Sequence, residues 1–185
     1  MATASTRATI DDLYRWPGKA ELIGGRIVPF MATGRRPNRV AMHITRSLDD
    51  YAEASGAGEA YTDNMGFVVP ELPSGRESFS PDSAYYSGPF PSNPMRFIEG
   101  PPTFAVEVRS ENDYGDAAEA EIASKRSDYF AAGTLVVWDV DPVNDIITCY
   151  RASDPVNPVV FRHGDVANAE PAVPGWSAPV DELLA

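Results

Sequence analysis

Apolar residues recur along this chain at two spacings, which predict two kinds of secondary structure. In two long segments they return every third or fourth position, which is typical of one helix face and predicts helices over 37–55 and about 114–132. Glycines end both segments, Gly56 and Gly58 the first and Gly133 the second. Elsewhere apolar residues alternate or form short runs between turn residues, and this pattern predicts strands.

The short apolar runs predict a sheet. Residues 21–30 are expected to form a hairpin that turns at Gly24 and Gly25. Further strands are predicted at 59–63, 66–70, 81–86, 103–110, 135–140, 146–150 and 159–161. Because hairpins are followed by a strand–helix–strand order, the sequence predicts an α/β (α+β mixed) fold with a central mixed β-sheet flanked by helices. Its length favours a single domain over residues 1–185.

The remaining segments are predicted from turn and capping residues. Thr9 is expected to cap a short helix that carries acids in its first turn. The proline-rich segment 87–101 and the tail 167–179 are predicted loops, and a short helix is predicted at 180–184.

Three charged residues stand where the pattern calls for apolar ones. Asp82 follows Pro81 at the head of a predicted strand, and Glu107 lies inside the apolar run 103–110. Lys125 lies in the middle of the apolar stripe of the second long helix. An isolated charge in a core position is costly unless it is paired, hydrogen-bonded or bound to a metal. Two acids and a lysine that converge from two strands and a helix therefore indicate a divalent-metal site.

Alternation along the strands supports this convergence. Glu107 shares a strand face with Ala105 and Arg109, and Asp82 shares one with Ala84. If the two strands pair, both carboxylates reach one cation. The simpler alternatives are that Asp82 caps a turn and that Glu107 pairs with an arginine or lysine.

Lys125 is the most unusual of the three charged residues. At about 100° per residue it shares a narrow arc with Ala118, Ile122 and Tyr129, where the helix is expected to be most apolar. The alternatives are an i,i+4 pair with Glu121 or a stem that extends to solvent.

Composition narrows the metal and the class of protein. Hydrophobic residues make up 43% of the 185 and charged residues 23%, as in soluble globular proteins. Because there are two histidines, His43 and His163, and one cysteine, Cys149, oxygen-ligated Mg²⁺, Mn²⁺ or Ca²⁺ is favoured over a zinc site. The start of the chain shows no apolar signal segment and no run reaches membrane-spanning length, so a cytoplasmic location is expected.

The net charge of −12 argues against avid, indiscriminate nucleic-acid binding. A local basic cluster nevertheless lies on the first long helix, mainly on the face opposite its apolar residues. Its members are Arg35, Arg36, Arg39, His43 and Arg46. We predict that these residues bind nucleic acid, with a solvated helix face as the alternative.

Taken in order, these features resemble the PD-(D/E)XK nuclease superfamily, and more closely the Uma-two family of bacterial endonucleases. The resemblance runs over most of the chain. The similar segments are Glu21–Val28, His43, Pro81-Asp82, Val106–Ser110, Lys125 with Tyr129, Gly133, Trp138–Pro142 and Gly175-Trp176. It implies a restriction-endonuclease-like core and a Mg²⁺-dependent endonuclease that cuts DNA as a homodimer.

The resemblance also assigns roles to residues. It implies that Asp82 and Glu107 hold Mg²⁺ or Mn²⁺. Arg109 occupies the position where the superfamily usually has its lysine, and Lys125 matches the migrated lysine of the Uma-two pattern. Glu21 resembles the additional acid of the family, with an ordinary exposed strand acid as the alternative. Arg109 is expected to contact the scissile phosphate.

Two other interpretations of the whole chain stay open. One is a non-catalytic nucleic-acid- or protein-binding module that keeps the nuclease fold. The other is a different enzyme on an unrelated α/β fold, although the sequence shows neither a glycine-rich phosphate loop nor a nucleophile–histidine signature.

Overall fold

Four helices and thirteen strands make up the part of the chain that the computed structural model describes, residues 7–185. The helices are α1 (Ile10–Tyr14), α2 (Arg35–Ser55), α3 (Asp116–Ala132) and α4 (Val180–Leu183). The strands are β1 (Ala20–Ile23), β2 (Arg26–Pro29), β3 (Glu59–Thr62), β4 (Phe67–Val68), β5 (Ser78–Phe79), β6 (Ser83–Tyr86), β7 (Ile98–Glu99), β8 (Phe104–Val108), β9 (Val136–Asp141), β10 (Ile146–Arg151), β11 (Asp154–Phe161), β12 (Val166–Asn168) and β13 (Ser177–Pro179). Residues 1–6 lie outside this part, and they include most of the segment for which no secretory signal was predicted. Within it, no helix combines the length and apolar character needed to cross a membrane.

The central sheet has six strands in the order β11-β10-β9-β8-β6-β3. Strands β8 and β9 run parallel, joined by the crossover helix α3, and the other neighbours in this sheet are antiparallel. The predicted mixed α/β fold with a central mixed sheet flanked by helices is confirmed. The parallel pair matters for function, because it sets the ends of β8 and β9 at the same edge as the start of β6.

Two layers of apolar residues cover the two faces of this sheet. On one face Val106 and Trp138 pack against the apolar stripe of α2. The α2 residues buried there are Val40, Ala41, Ile44, Thr45, Leu48 and Ala52. On the other face Ala105 and Val137 belong to a smaller cluster that includes Tyr129 of α3. Because Glu107 alternates with Val106, its side chain lies on the α3 face.

Local chemistry explains the N-terminal elements that flank the site. The side chain of Thr9 accepts from the Asp12 amide, and the Asp12 carboxylate accepts from the Thr9 amide at 2.9 Å, which forms a capping box for α1. The β1–β2 hairpin turns at Gly24 and Gly25, with φ of +58° and +68°. Two successive left-handed residues are what a two-residue hairpin turn requires, so glycine suits both positions.

Several elements differ from the sequence-based expectation, among them β11, which begins at Asp154 and not at 159, and β5, which was not predicted. The segment 87–101, predicted as a loop, contains β7, which pairs in parallel with β4. The tail 167–179, also predicted as a loop, contains most of β12 and β13, which pair with each other. These strands have two or three residues, too few for an alternating pattern to show. Helix α2 begins at Arg35, and Pro37 fits its first turn because the amide it lacks would have no helical partner there.

Strand β11 forms an open edge of the central sheet. It is eight residues long and mostly exposed, with Val156 81% exposed. Pro155 and Pro158 both lie within it. It pairs only with β10 in the described sheet, and that pairing shifts register between Cys149 and Arg151.

Candidate active site

The pairing of β6 with β8 brings Asp82 and Glu107 together. Ser83 lies opposite Val106 in the register, so Asp82 lies beside Glu107. The Asp82 amide donates to the Val106 carbonyl at 3.1 Å, and its Oδ2 accepts from the Val108 amide at 2.8 Å. Asp82 therefore continues the strand pairing through its side chain and does not cap a local turn. Each carboxylate side chain keeps 24% of its surface exposed.

Helix α3 supplies the groups that contact Glu107. Lys125 Nζ lies 2.8 Å from Oε1 and 2.9 Å from Oε2 of Glu107, and the Tyr129 hydroxyl donates to Oε1 at 2.6 Å. Tyr129 is held by stacking on Phe79, with 4.2 Å between ring centroids. The ion pair that the sequence offered as an alternative for Glu107 is thus present. Lys125 pairs across to the sheet and not along its helix with Glu121.

Glu21 joins this cluster from β1 and is fully buried, so its interpretation as an exposed strand acid is wrong. Its Oε1 accepts from the Ser80 amide at 3.0 Å and lies 3.2 Å from Lys125 Nζ. Its Oε2 is bonded to Arg76, whose Nε donates to Asp128 at 2.9 Å. Glu21 and Glu107 therefore hold the Lys125 ammonium from two sides.

The charges of the cluster shift one another's protonation. Burial alone would lower the pKa of Lys125, but the Glu107 and Glu21 carboxylates outweigh burial and raise that pKa above its ordinary value. Burial raises the pKa of Glu107, and the Asp82 and Glu21 charges add to this while Lys125 opposes it. Burial also acts to raise the pKa of Glu21, but Lys125 and Arg76 outweigh it and the net shift is downward. Lys125 therefore stays a cation, and ionised Glu107 is the least favoured of these charges.

A second lysine, Lys19, lies at the same centre. Its Nζ is 3.0 Å from Asp82 Oδ1 and 2.5 Å from Asp63 Oδ1. The Phe30 ring borders both ammonium groups, with its centroid 5.6 Å from Lys19 Nζ and 5.4 Å from Lys125 Nζ. The chain has only these two lysines. Both therefore pair with the acids of one site.

Asp82 and Glu107 offer two carboxylates, the kind of oxygen ligand that a divalent cation such as Mg²⁺ takes. The cluster joins five carboxylates (Glu21, Asp63, Asp82, Glu107 and Asp128) to three cations (Lys19, Arg76 and Lys125). When all are ionised its formal charge is −2, which one divalent ion would neutralise. Within residues 7–185 no group of three or more acids, histidines or cysteines is arranged to enclose a metal. A cation bound by Asp82 and Glu107 would complete its shell with backbone oxygen, water or substrate, as Mg²⁺ commonly does.

Arg109 is not brought to these carboxylates, because its guanidinium is paired with other acids, and its contact with the scissile phosphate stays a prediction. Its Nε and Nη2 donate to the two Asp139 oxygens at 2.7 Å each, and its Nη1 and Nη2 bond to Glu119. Every guanidinium nitrogen thus already has an acceptor. Asp139 of β9 completes this clamp between β8, β9 and α3.

The predicted nucleic-acid-binding residues are divided along α2, on the face of the sheet away from the carboxylates. Arg39 and Arg46 are exposed, and Arg39 Nη2 lies 3.1 Å from Nε2 of half-buried His43. Arg36 is paired with Asp145 at 2.6 Å. Near the end of β8, a cleft of about 590 Å³ is lined by residues that include Arg35, Arg36, Arg109, Ser110, Tyr114 and Asn144. Only Arg35 and Arg36 of the basic cluster line this cleft.

Lys125 faces the acids, as the helical period predicts, but its neighbours on the helix are less buried than an apolar stripe requires. Ala118 and Ile122 are only half-buried, and the buried residues of α3 are Asp128 and Tyr129. Lys125 therefore lies among acids and aromatic rings and not in a continuous apolar stripe. The sequence did not predict Lys19 as a site residue. The signal that could have indicated it is that the chain has two lysines in all.

Two acids at the ends of neighbouring strands and a lysine on the crossover helix make up the candidate site, which lies on a restriction-endonuclease-like fold. A crystal structure from Anabaena variabilis, described as "a putative nuclease belonging to DUF820", is similar with a TM-score of 0.75. The two chains share 16% identity over 95% of this chain and 97% of that one, so this likeness establishes the fold.

The sequence model of the Uma2 family, described as "Putative restriction endonuclease", matches residues 10–181. The chain belongs to this family, and the resemblance drawn from its sequence is confirmed. No curated protein gives a significant match.

Proposed function

We propose that this protein is a metal-dependent endonuclease that hydrolyses phosphodiester bonds of DNA. The observation that carries the proposal is the convergence of Asp82, Glu107 and Lys125 at one end of the sheet, with both carboxylates partly exposed. The family description supports the class of reaction. Asp82 and Glu107 would hold Mg²⁺ or Mn²⁺, which when bound polarises the phosphodiester and activates water.

Lys125 would stabilise the charge that develops on the phosphate oxygens. Its raised pKa keeps it protonated, so it serves as a fixed cation and not as a general base. Glu21 is fully buried and bonded to Lys125 and Arg76, which favours a positioning role for Glu21 over direct metal binding. Arg109 would act in the same indirect way, by fixing the end of β8 to Asp139 and to Glu119 of α3.

A non-catalytic nucleic-acid- or protein-binding module is the second candidate, and one observation favours it. Each oxygen of Asp82 and Glu107 already has a donor from the protein itself. In such a module these ion pairs would stabilise the fold and would not give way to a metal.

Metal binding and cleavage together test the proposal. We expect wild type to bind Mn²⁺ in a spin-resonance titration and to nick supercoiled plasmid DNA with Mg²⁺ or Mn²⁺. Asp82→Asn and Glu107→Gln should lose both properties. Lys125→Met should keep Mn²⁺ binding and cut about 10²–10³-fold more slowly. Glu182→Gln, at an exposed position of α4, is the matched control and should behave as wild type.

Two outcomes separate the candidates. Saturable metal binding with cleavage that depends on both acids supports the endonuclease. DNA binding without saturable Mn²⁺ binding or cleavage supports the non-catalytic module.

We also propose that the active species is a homodimer, because one site per chain cuts one strand at a time. Sedimentation at several concentrations, with and without DNA, tests this. A monomer that makes double-strand breaks in single binding events would contradict it.

A further inference from the structure

Lys19 occupies an unusual place in the candidate metal centre. It precedes β1, and its ammonium lies between Asp82 Oδ1 at 3.0 Å and Asp63 Oδ1 at 2.5 Å. Its side chain is 18% exposed, and the aromatic ring of Phe30 lies alongside it. Lys125 interacts in the same manner with Glu107, the other proposed ligand. Each proposed metal ligand therefore has an ammonium group of its own.

The two Asp82 oxygens differ in what contacts them. Oδ2 accepts from the Val108 amide, a backbone group fixed by the strand pairing. Oδ1 is held by Lys19, a flexible side chain with a second acceptor within reach. A cation that approaches Oδ1 meets a like charge, and it also meets the group that is easiest to displace.

Asp63 supplies that second acceptor. It lies just after β3, its side chain is 44% exposed, and it is bonded to Lys19 more closely than Asp82 is. If the ammonium left Asp82 it would keep its contact with Asp63, so no charge would be left unpaired in a partly buried place.

We propose that Lys19 is an internal counter-ion of the metal-free centre, which occupies Asp82 Oδ1 and is retained by Asp63 when a divalent cation binds. The inference rests on the proposed metal site, at which the Lys19 ammonium would compete with the metal for Asp82. Metal affinity is then set by an exchange of cations at Asp82. Loss of Lys19 has the opposite effect to loss of a ligand, since it makes metal binding tighter.

The test is a Mn²⁺ titration of Lys19→Met, which keeps the length of the side chain and removes its charge. We expect the dissociation constant to fall by about tenfold. Arg26→Met removes an equal charge from an exposed position of the neighbouring strand β2 and should leave the affinity close to that of wild type. Equal affinities in Lys19→Met and wild type would overturn the proposal.

A double-mutant cycle separates competition from general electrostatics. Asp63→Asn removes the second acceptor and should weaken Mn²⁺ binding by about fivefold in wild type. The same change should have little effect in Lys19→Met, because the ammonium that Asp63 retains is gone. Equal weakening in both backgrounds would mean that Asp63 acts on the metal directly, and the exchange would be wrong.

A measurement on the unmutated protein guards against effects of substitution on folding. Because the chain has two lysines, ¹⁵N-lysine labelling gives two side-chain signals, and the Lys19→Met spectrum assigns them. Titration with diamagnetic Mg²⁺ should shift the Lys19 signal in step with binding. Saturable binding without such a shift would contradict the proposal.

If wild type binds no metal at all, both the proposed function and this inference fail. If it binds metal but Lys19→Met binds no more tightly, only the inference fails.

Discussion

Replacing Arg76 with methionine should destabilise the fold more than any single change at the exposed surface. The Arg76 side chain is 9% exposed and bridges Glu21, which is fully buried, to Asp128, which is 11% exposed. Removing one partner of a buried ion pair costs about 3–5 kcal/mol, because the other charge is left without compensation. Glu21 keeps Lys125 and the Ser80 amide, so we expect about 3 kcal/mol. That is a large part of the roughly 5–15 kcal/mol by which domains are stable.

Urea unfolding monitored by tryptophan fluorescence measures this loss, with Arg26→Met as the exposed arginine control. Glu21→Gln in the Arg76→Met background should recover part of the stability, since it removes the acid left unpaired. A loss below about 1 kcal/mol, the size of an exposed ion pair, would refute the reasoning.

The pH dependence gives a second check with a defined sign. In wild type the pKa of Glu21 is lowered, so the stability that its ionised form contributes is present above its ordinary pKa and is lost as pH falls through the lowered value. Without Arg76, one of the two charges that lower this pKa is gone. The pKa of Glu21 is therefore higher in the variant, and Glu21 becomes protonated at a higher pH. The destabilisation should therefore shrink as pH falls from about 7 towards 4. A destabilisation that grows on acidification would contradict this.

Three further outcomes are expected. Millimolar Mn²⁺ should raise the melting temperature of wild type in a thermal scan and should leave that of Glu107→Gln unchanged. At a hundred times the dissociation constant, the added free energy of stabilisation is about 2.7 kcal/mol. Tyr129→Phe removes the hydrogen bond to Glu107 but keeps the stacking on Phe79, so urea unfolding should show a loss of about 1 kcal/mol, and a loss above 3 would point to disrupted packing. Arg39→Glu with Arg46→Glu should weaken DNA binding and reduce its salt slope, whereas unchanged binding would indicate a solvated helix face.

The sequence alone was sufficient to predict the relation between the two acids and Lys125. Glu107 interrupts a strong apolar run and Asp82 heads a neighbouring strand, and strand alternation places both on one face once β6 and β8 pair. The helical period then directs Lys125 towards that face. These are regular features with a fixed repeat, so a local pattern contains the information.

The supporting charges could not be predicted in this way. Arg76 forms an isolated bridge with Ile23 after a turn, and it meets Glu21 across 55 positions and Asp128 across 52. Lys19 meets Asp82 across 63. Contacts of this kind depend on how β1 packs beside β5, which no local repeat encodes. For the same reason the burial of Glu21 and the pairing of β12 with β13 were not foreseen.

The open edge strand β11 has a consequence for self-association. An edge that presents an unbroken row of backbone groups can recruit a second strand and begin an aggregate. Pro155 and Pro158 remove two of the eight amides of this strand, and a strand that lacks those donors is a poor template for a continuous ladder. Two copies of this chain that meet at β11 would therefore form an interrupted backbone ladder and would depend more on side-chain contacts. A concentrated solution should accordingly resist fibre formation from this edge.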